Sequence, residues 1–235
     1  MGMTEPLSRN PLLDVYNSSQ VEIVYINPYR FSGGGASSLL TDLVAWWSLD
    51  ETSGTRADSH GSYDLTDNNT VGYTTGIQGN CADFVEANDE YLSAAHSNGL
   101  SVPSSGAGDL TCCGWINMDS FGSAKELVGV WSTTATDREW GLRCDNSTTL
   151  NARVRNSSGV NAQTGNKTVS VGTWYFFCLE IDSSTQTLYF DLDNSGSPVS
   201  VSIGADVNVG SSDFMMGFYG GGAVHFDGQI DEVAV

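Results

Sequence analysis

From residue 43 to the end, short strand-like runs alternate with turns, and this pattern limits the folds that the chain can adopt. The runs recur at intervals of about 8–14 residues, and Gly, Asn, Asp and Ser fill the segments between them. Regular short strands separated by turn residues are typical of all-β sandwiches and barrels. No helix-length periodic stretch follows Leu43. The pattern therefore predicts an all-β fold with two antiparallel sheets over residues 43–235.

Alternation within the runs indicates which side chains share a face, because successive strand residues point to opposite sides of a sheet. The run over 188–192 follows the run over 173–182 after a short link, so we expect the two to form a hairpin. The run over 43–49 is apolar on both faces, which predicts a strand covered on both sides. The two predicted faces of the 173–182 run carry Trp174, Phe176, Cys178 and Glu180 on one side and Tyr175, Phe177, Leu179 and Ile181 on the other.

Charge narrows the range of partners. The 235 residues include 28 acidic and nine basic side chains, for a net charge of −19. Such a surface repels phosphate backbones and anionic lipid, so we expect no nucleic-acid partner. No apolar run reaches the roughly 18 residues of a membrane span, so we expect no membrane insertion. Residues 1–10 lack the pattern of a signal peptide. We therefore expect the protein to reach a virion surface or the extracellular space after release of an assembled particle.

Residues 1–42 differ from the rest and are predicted to form an extended N-terminal arm. Three of the five prolines lie here, and proline removes a hydrogen-bond donor and restricts the backbone. A strand-like run over 21–26 precedes a glycine joint at 33–35. Such a strand needs a partner, so we predict docking onto another protein subunit or another copy. An edge strand added to its own domain and disorder are the alternatives. The predicted docking residues are Val21, Ile23 and Tyr25.

The five cysteines form no Cys-x-x-Cys motif, so a zinc site has little support. We expect mostly buried free thiols, which pack as small hydrophobic side chains. One cross-strand disulfide is the alternative. Cys112 and Cys113 are neighbours in one predicted strand, so they face opposite sides of it.

The order of several landmarks resembles the laminin G-like domains of the concanavalin A-like lectin/glucanase superfamily. The resemblance covers about residues 43–235 and implies a two-sheet antiparallel jelly-roll β-sandwich. Residues 1–42 match nothing in that family. The segments that carry the resemblance are 43–54 for the opening strand, 79–84 for an early strand, 114–116 for the central strand, 172–176 for the late hairpin and 226–233 for the closing strand.

The resemblance also implies a metal site. Sandwiches of this superfamily often hold a structural calcium ion near the closing strand, and calcium takes six to eight oxygen ligands. Carried over to this chain, the resemblance implies one structural Ca²⁺ bound by Asp231, with loop carbonyls and Asp58 or Glu51 as further ligands.

Glycan binding needs exposed aromatic rings on which a sugar stacks. Four aromatic residues lie in or near predicted turns and are the candidates for carbohydrate binding; packing in the core or at its rim is the alternative. These residues are Trp131, Trp140, Tyr73 and Tyr219.

Catalysis has less support. A glycoside hydrolase needs two carboxylates that flank the scissile bond. The nearest candidates are Glu180 and Asp182, but no third acid follows on the same strand face. Asp231 and Glu232 are adjacent, which predicts opposite faces. The three histidines accompany no Gly-x-Ser-x-Gly elbow. We expect no enzyme activity.

Together these features predict a non-catalytic structural and adhesion protein, such as a phage capsid decoration or tail component. The arm would dock to other subunits, as a homo-oligomer or on a capsid or tail, and the lectin-like sandwich would project outward and touch glycans. A carbohydrate-binding lectin module is the alternative, followed by a glycoside hydrolase.

Overall fold

The computed structural model describes residues 42–97, 99–102, 108–122, 124–145, 148–193, 195–218 and 225–235. The predicted docking residues Val21, Ile23 and Tyr25 and the aromatic Tyr219 lie outside these ranges, so their roles stay predictions. No helix in the described ranges is long and apolar enough to cross a membrane. The strands, in chain order, are β1 (Trp46–Trp47), β2 (Thr66–Asn68), β3 (Gly72–Thr75), β4 (Asn80–Phe84), β5 (Tyr91–Ala94), β6 (Leu110–Met118), β7 (Lys125–Val130), β8 (Trp140–Cys144), β9 (Thr149–Arg155), β10 (Asn161–Gln163), β11 (Lys167–Thr168), β12 (Trp174–Asp182), β13 (Thr187–Leu192), β14 (Val199–Ser202), β15 (Phe214–Met216) and β16 (Gly228–Ala234).

The strands form two antiparallel sheets. The first sheet has the order β14-β13-β12-β6-β16-β4-β3, and β1 pairs with β16. The second sheet has the order β10-β9-β8-β7-β15-β5-β2, and β11 pairs with β9. The two sheets cover each other's apolar faces, which confirms the predicted all-β sandwich.

The core lies between the sheets and is built by alternation. Phe177, Leu179 and Ile181 of β12 are fully buried, and β12 pairs with β13 in the predicted hairpin. Trp47 from the first sheet stacks on Phe214 from the second, with ring centroids 5.1 Å apart. Each such side chain contributes roughly 1.5–3 kcal/mol through burial of apolar surface.

The opening run forms only a two-residue strand, β1, and its two faces are covered to different extents. Trp47 is fully buried, whereas Trp46 is half-buried on the opposite face. The prediction that both faces are covered holds fully only for the Trp47 face, because Trp46 on the other face keeps part of its surface exposed. Leu49, with φ of 60°, ends the extended conformation.

None of the five cysteines, all of which lie in the described ranges, forms a disulfide in this structure. Cys112 is buried in the core while Cys113 is partly exposed, so the neighbours face opposite sides as predicted. Cys81 and Cys144 are buried, and Cys178 is partly exposed.

Candidate ligand-binding face

The outward face of the first sheet brings aromatic and acidic side chains into one row. Phe176 of β12 pairs with Trp115 of β6, and Trp115 pairs with Asp231 of β16. The rings of Trp115 and Phe176 meet edge to face, with centroids 5.4 Å apart. The three residues face outward because their chain neighbours Ile116, Phe177 and Ile230 are fully buried in the core.

A β-bulge adds a second acid to this face. The register of β16 against β6 shifts between Asp231 and Ala234, and Glu232 has φ of 52°. Trp46 points outward, since Trp47 points into the core, and its Nε1 donates to Glu232 Oε2 at 2.7 Å. The prediction that Asp231 and Glu232 lie on opposite faces is therefore wrong, because the bulge interrupts the two-residue period of the strand.

The turn between β3 and β4 closes over Asp231. The backbone N–H groups of Ile77 and Gln78 donate to Asp231 Oδ2 at 2.7 and 3.3 Å. Gly76 permits this approach, since a Cβ there would lie 2.5 Å from the same oxygen. Asp231 is fully buried and Glu232 is 7% exposed. Within the described part of the chain, Asp231 Oδ1 and Glu232 Oε1 have no hydrogen-bond partner.

Burial also raises the pKa values of Asp231 and Glu232. It raises the pKa of Asp231 to about 6, against the opposing hydrogen bonds from Gln78 and Ile77. It raises the pKa of Glu232 to about 7, where the Trp46 hydrogen bond opposes the shift and the charge of Asp231 adds to it. Near neutral pH the pair therefore carries both acceptor oxygens and a donor proton.

The residues of the predicted calcium site are engaged elsewhere. Glu51 Oε1 accepts the backbone N–H of Ala57 at 2.8 Å. In the described ranges no group of three or more His, Cys, Asp or Glu side chains is arranged to hold a metal ion. Calcium binding by Asp231, with loop carbonyls and Asp58 or Glu51 as further ligands, therefore stays a prediction. Both oxygens of Asp58 accept backbone N–H groups, from Trp46, His60, Gly61 and Tyr63.

The candidate carbohydrate-binding residues have different surroundings. Trp140 is fully buried, and its Nε1 donates to Leu100 O at 3.2 Å. Trp131 is 3% exposed and lies under two guanidinium groups. An exposed platform at Trp131 or Trp140 is thus wrong, because both rings are used in packing. Tyr73 is 51% exposed on the edge strand β3.

Sequence reasoning missed the aromatic row itself. Trp115 was assigned to the central strand, and its neighbours on either side in β6 alternate between buried and partly exposed. The signal available in the sequence was the two-residue period of a strand, which places Trp115 on the face opposite Ile116. A search confined to turns does not find an aromatic residue in the middle of a sheet.

The predicted glycosidase acids do not form a pair with Asp231. Glu180 pairs with Thr111 of β6, whereas Asp231 pairs with Trp115, four residues along. Four residues span roughly 13 Å of strand, beyond the roughly 9.5 Å that the two carboxylates of a glycosidase allow. Asp182 accepts N–H groups within its own turn.

One histidine contacts a serine and a glutamate. His96 Nε2 lies 3.0 Å from Ser101 Oγ and 3.3 Å from Glu139 Oε1, and Glu139 is fully buried. In a catalytic triad the serine and the acid contact different nitrogens of the imidazole. Here both contact Nε2, so the contact lacks the geometry of a triad.

Two antiparallel sheets with this strand order define a lectin-type β-sandwich. The laminin G-like family of the concanavalin A-like lectin/glucanases superfamily matches residues 86–235, more than half of the chain, so the chain belongs to this superfamily. No curated protein matches the chain in sequence.

Several solved structures share the fold. The binding domain of Paraclostridial Mosquitocidal Protein 1 matches with a TM-score of 0.66 and 13% identity, covering 83% of this chain and 49% of that one. Trypanosoma rangeli sialidase matches with a TM-score of 0.58 and 13% identity, covering 83% of this chain and 30% of the sialidase. This chain therefore spans about half or less of those two proteins. Domain 4 of AbnA, a GH43 extracellular arabinanase from Geobacillus stearothermophilus solved with arabinotriose, matches with a TM-score of 0.55 and 17% identity, covering 82% and 90% of the two chains.

Proposed function

We propose that the protein is a non-catalytic adhesion module that binds glycans on the outward face of the first sheet. The observation that carries this proposal is the row in which Trp115 lies directly beside Asp231. The ring is half-buried, and the carboxylate carries an oxygen that no described donor reaches.

A saccharide fits the chemistry of this row. Its apolar face stacks on an indole ring, and its hydroxyl groups donate to carboxylate oxygens. A buried acceptor without a partner costs roughly 1–3 kcal/mol, which a ligand hydroxyl would offset when the turn between β3 and β4 moves away from Asp231. The relative solved with arabinotriose supports a saccharide as the ligand class.

The proposed setting is a virion, as a capsid decoration or tail component. Residues 1–42 would dock to other protein subunits through the apolar run over 21–26, and the sandwich would project outward. Many copies on one particle would raise the avidity of a weak single site. The acidic surface supports high solubility of such an assembly.

A glycan array followed by titration tests the binding face. We expect Trp115→Ala to weaken binding at least tenfold, because the stacking surface is removed. Tyr73→Ala is the matched control, since it removes an exposed aromatic ring from the edge of the same sheet. Unchanged binding by Trp115→Ala, or a loss with Tyr73→Ala instead, would contradict the proposed site.

Deletion of residues 1–42 tests the anchoring role separately. We expect the remaining chain to keep its glycan binding and to lose association with other subunits or copies. Light scattering and co-sedimentation with the native particle measure this. A truncated chain that still associates normally would refute the role of the arm.

A glycoside hydrolase is the second candidate, favoured by the raised pKa of Glu232, which is typical of a general acid. It predicts release of reducing sugar from the bound glycan and loss of that release in Glu232→Gln. Binding without any release, in wild type and Glu232→Gln alike, supports the non-catalytic module.

A further inference from the structure

Two cysteines face each other on the outward face of the first sheet. Cys113 of β6 and Cys178 of β12 are direct partners in the register of the two strands. Both are partly exposed, and both are free thiols. They lie on the same face as Trp115 and Phe176, two residues away along each strand.

The backbone hydrogen bonds show which kind of antiparallel pair they form. In an antiparallel sheet, the N–H and C=O of one residue point to the same neighbouring strand, and the next residue points to the other. Asp193 N donates to Phe176 O at 2.8 Å, so Phe176 points its backbone groups toward β13, and Cys178 does the same. Asp119 N donates to Asp227 O at 3.0 Å, so the backbone groups of Asp119, the residue after β6, point toward the segment that leads into β16. Cys113 is an even number of residues away along the same extended segment, so its backbone groups point the same way.

Cys113 and Cys178 are therefore a non-hydrogen-bonded pair. Such pairs have Cα atoms about 4.5 Å apart and the closest side chains in an antiparallel sheet. A disulfide requires Cα atoms roughly 4.4–6.8 Å apart and Cβ atoms roughly 3.5–4.5 Å apart. The two thiols meet this requirement without a change in strand register.

The other cysteines lie in other strands or on the other face. Cys112 points into the core, and Cys144 lies in the second sheet. Cys81 lies on β4, which β16 separates from β6. One pair of the five thiols is thus placed for a bond.

We propose that Cys113 and Cys178 are a covalent modification site that forms a reversible cross-strand disulfide by exchange with a small-molecule disulfide such as oxidised glutathione. The thiolate of one cysteine attacks a glutathione sulfur, which forms a mixed disulfide and releases one glutathione. The second cysteine then attacks the protein sulfur of the mixed disulfide and releases the other glutathione. The two protein thiols lose two electrons and two protons, and the oxidant gains both.

The local environment sets the rate of this exchange. Burial raises the pKa of Cys113 to about 12 and the pKa of Cys178 further. The thiolate is the attacking species, so exchange is slow at neutral pH and accelerates about tenfold per pH unit. The pair thus stays reduced where glutathione is reduced and closes after exposure to an oxidising medium.

The test uses the full chain, incubated with oxidised glutathione at pH 7.5 and 8.5 and then alkylated in denaturant. In samples taken before alkylation, we expect the intact mass to fall by two hydrogen atoms, about ten times faster at the higher pH. Peptide mapping should find a single cross-link, Cys113 to Cys178, that dithiothreitol reverses. The other three cysteines should be alkylated, namely Cys81, Cys112 and Cys144.

Cys178→Ala and Cys144→Ala form the matched pair of variants. We expect the first to abolish the cross-link and the second to leave it intact. The oxidised wild type should also melt at a higher temperature than the reduced form, because the bond restricts the unfolded chain. Stable glutathione adducts without an internal bond, a cross-link to any other cysteine, or no mass change would each overturn the proposal.

Discussion

On the outward face of the second sheet, Glu126 and Arg153 neutralise each other. On the first sheet, Asp231 and Glu232 lie together, and no Lys or Arg among the described residues forms an ion pair with them. Arg153 Nε donates to Glu126 Oε1 at 2.9 Å, a second bond joins Nη2 to Oε2, and the guanidinium lies 3.8 Å from the centre of the Trp131 ring. Glu126 is as deeply buried as Glu232. The two glutamates are therefore similarly buried, and they differ in the number of hydrogen-bond donors that reach them.

This difference distinguishes a structural use of charge from the proposed use in binding. A buried carboxylate whose two oxygens accept from one guanidinium has no remaining demand for a ligand. A buried carboxylate with an unpartnered oxygen retains that demand. The first face is therefore the better candidate for recognition, although the second also carries a tryptophan.

The largest expected effect tests the second face. Arg153→Met leaves Glu126 buried without its partner, and we expect a loss of about 3–5 kcal/mol in the free energy of unfolding. Arg143→Met is the control, because its contact with Asp145 at 3.5 Å is more exposed and is expected to contribute less than about 1 kcal/mol. Urea denaturation measures both. Equal losses in the two variants would remove the contrast between the faces.

A smaller loss of stability is expected on substitution of Asp58. This carboxylate lies near the first sheet, and both of its oxygens accept hydrogen bonds. Burial opposes its ionisation, but hydrogen bonds from Gly61, Trp46, Tyr63 and His60 outweigh burial and lower its pKa. We expect Asp58→Ala to cost about 2–3 kcal/mol. The contribution of Asp58 is present above the pKa of the unfolded chain and declines as pH falls below it.

Denaturation of Asp58→Ala with calcium and with a chelator separates two roles of this residue. The same loss under both conditions identifies Asp58 as a structural acceptor of backbone N–H groups. A loss that appears only with calcium would make it a metal ligand and would restore the implied site.

The smallest expected effect is a pH dependence of the free energy of unfolding that comes from the acids on the outward face of the first sheet. Asp231 and Glu232 have raised pKa values in the folded protein, about 6 and about 7. The folded state binds more protons between the unfolded and folded pKa values, so stability falls as pH rises from about 4 to about 7. We expect about 1 kcal/mol for each carboxyl after allowance for solvent screening.

The double variant Asp231→Asn, Glu232→Gln tests this dependence. We expect a smaller loss of stability between pH 5 and pH 8 than in the wild type, measured by urea denaturation at each pH. An unchanged difference between the two pH values would show that these acids are already satisfied, as Glu126 is.

The alternation of side chains between the two faces of a strand gave good predictions where one face is buried in the core. Residues 173–182 correspond to β12, and their buried side chains are the predicted ones, because a period of two is imposed by the backbone. The short edge strands β3 and β10 carry mostly exposed side chains, which leave little apolar pattern for such a prediction.

The candidate site was less accessible to sequence reasoning. Trp131 and Trp140 lie near turns, yet one packs under guanidinium groups and the other lies in the core. Which aromatic ring faces solvent depends on what covers it, and the covering residues are distant in sequence.

The sequence alone determined an all-β sandwich with cysteines Cys112 and Cys113 on opposite faces, because strand alternation is a local property of the backbone. Tertiary structure alone decided that Asp231 and Glu232 share one face and that Cys113 meets Cys178. The first depends on a bulge and the second on register, and both are set by hydrogen bonds to neighbouring strands that lie far away in the chain.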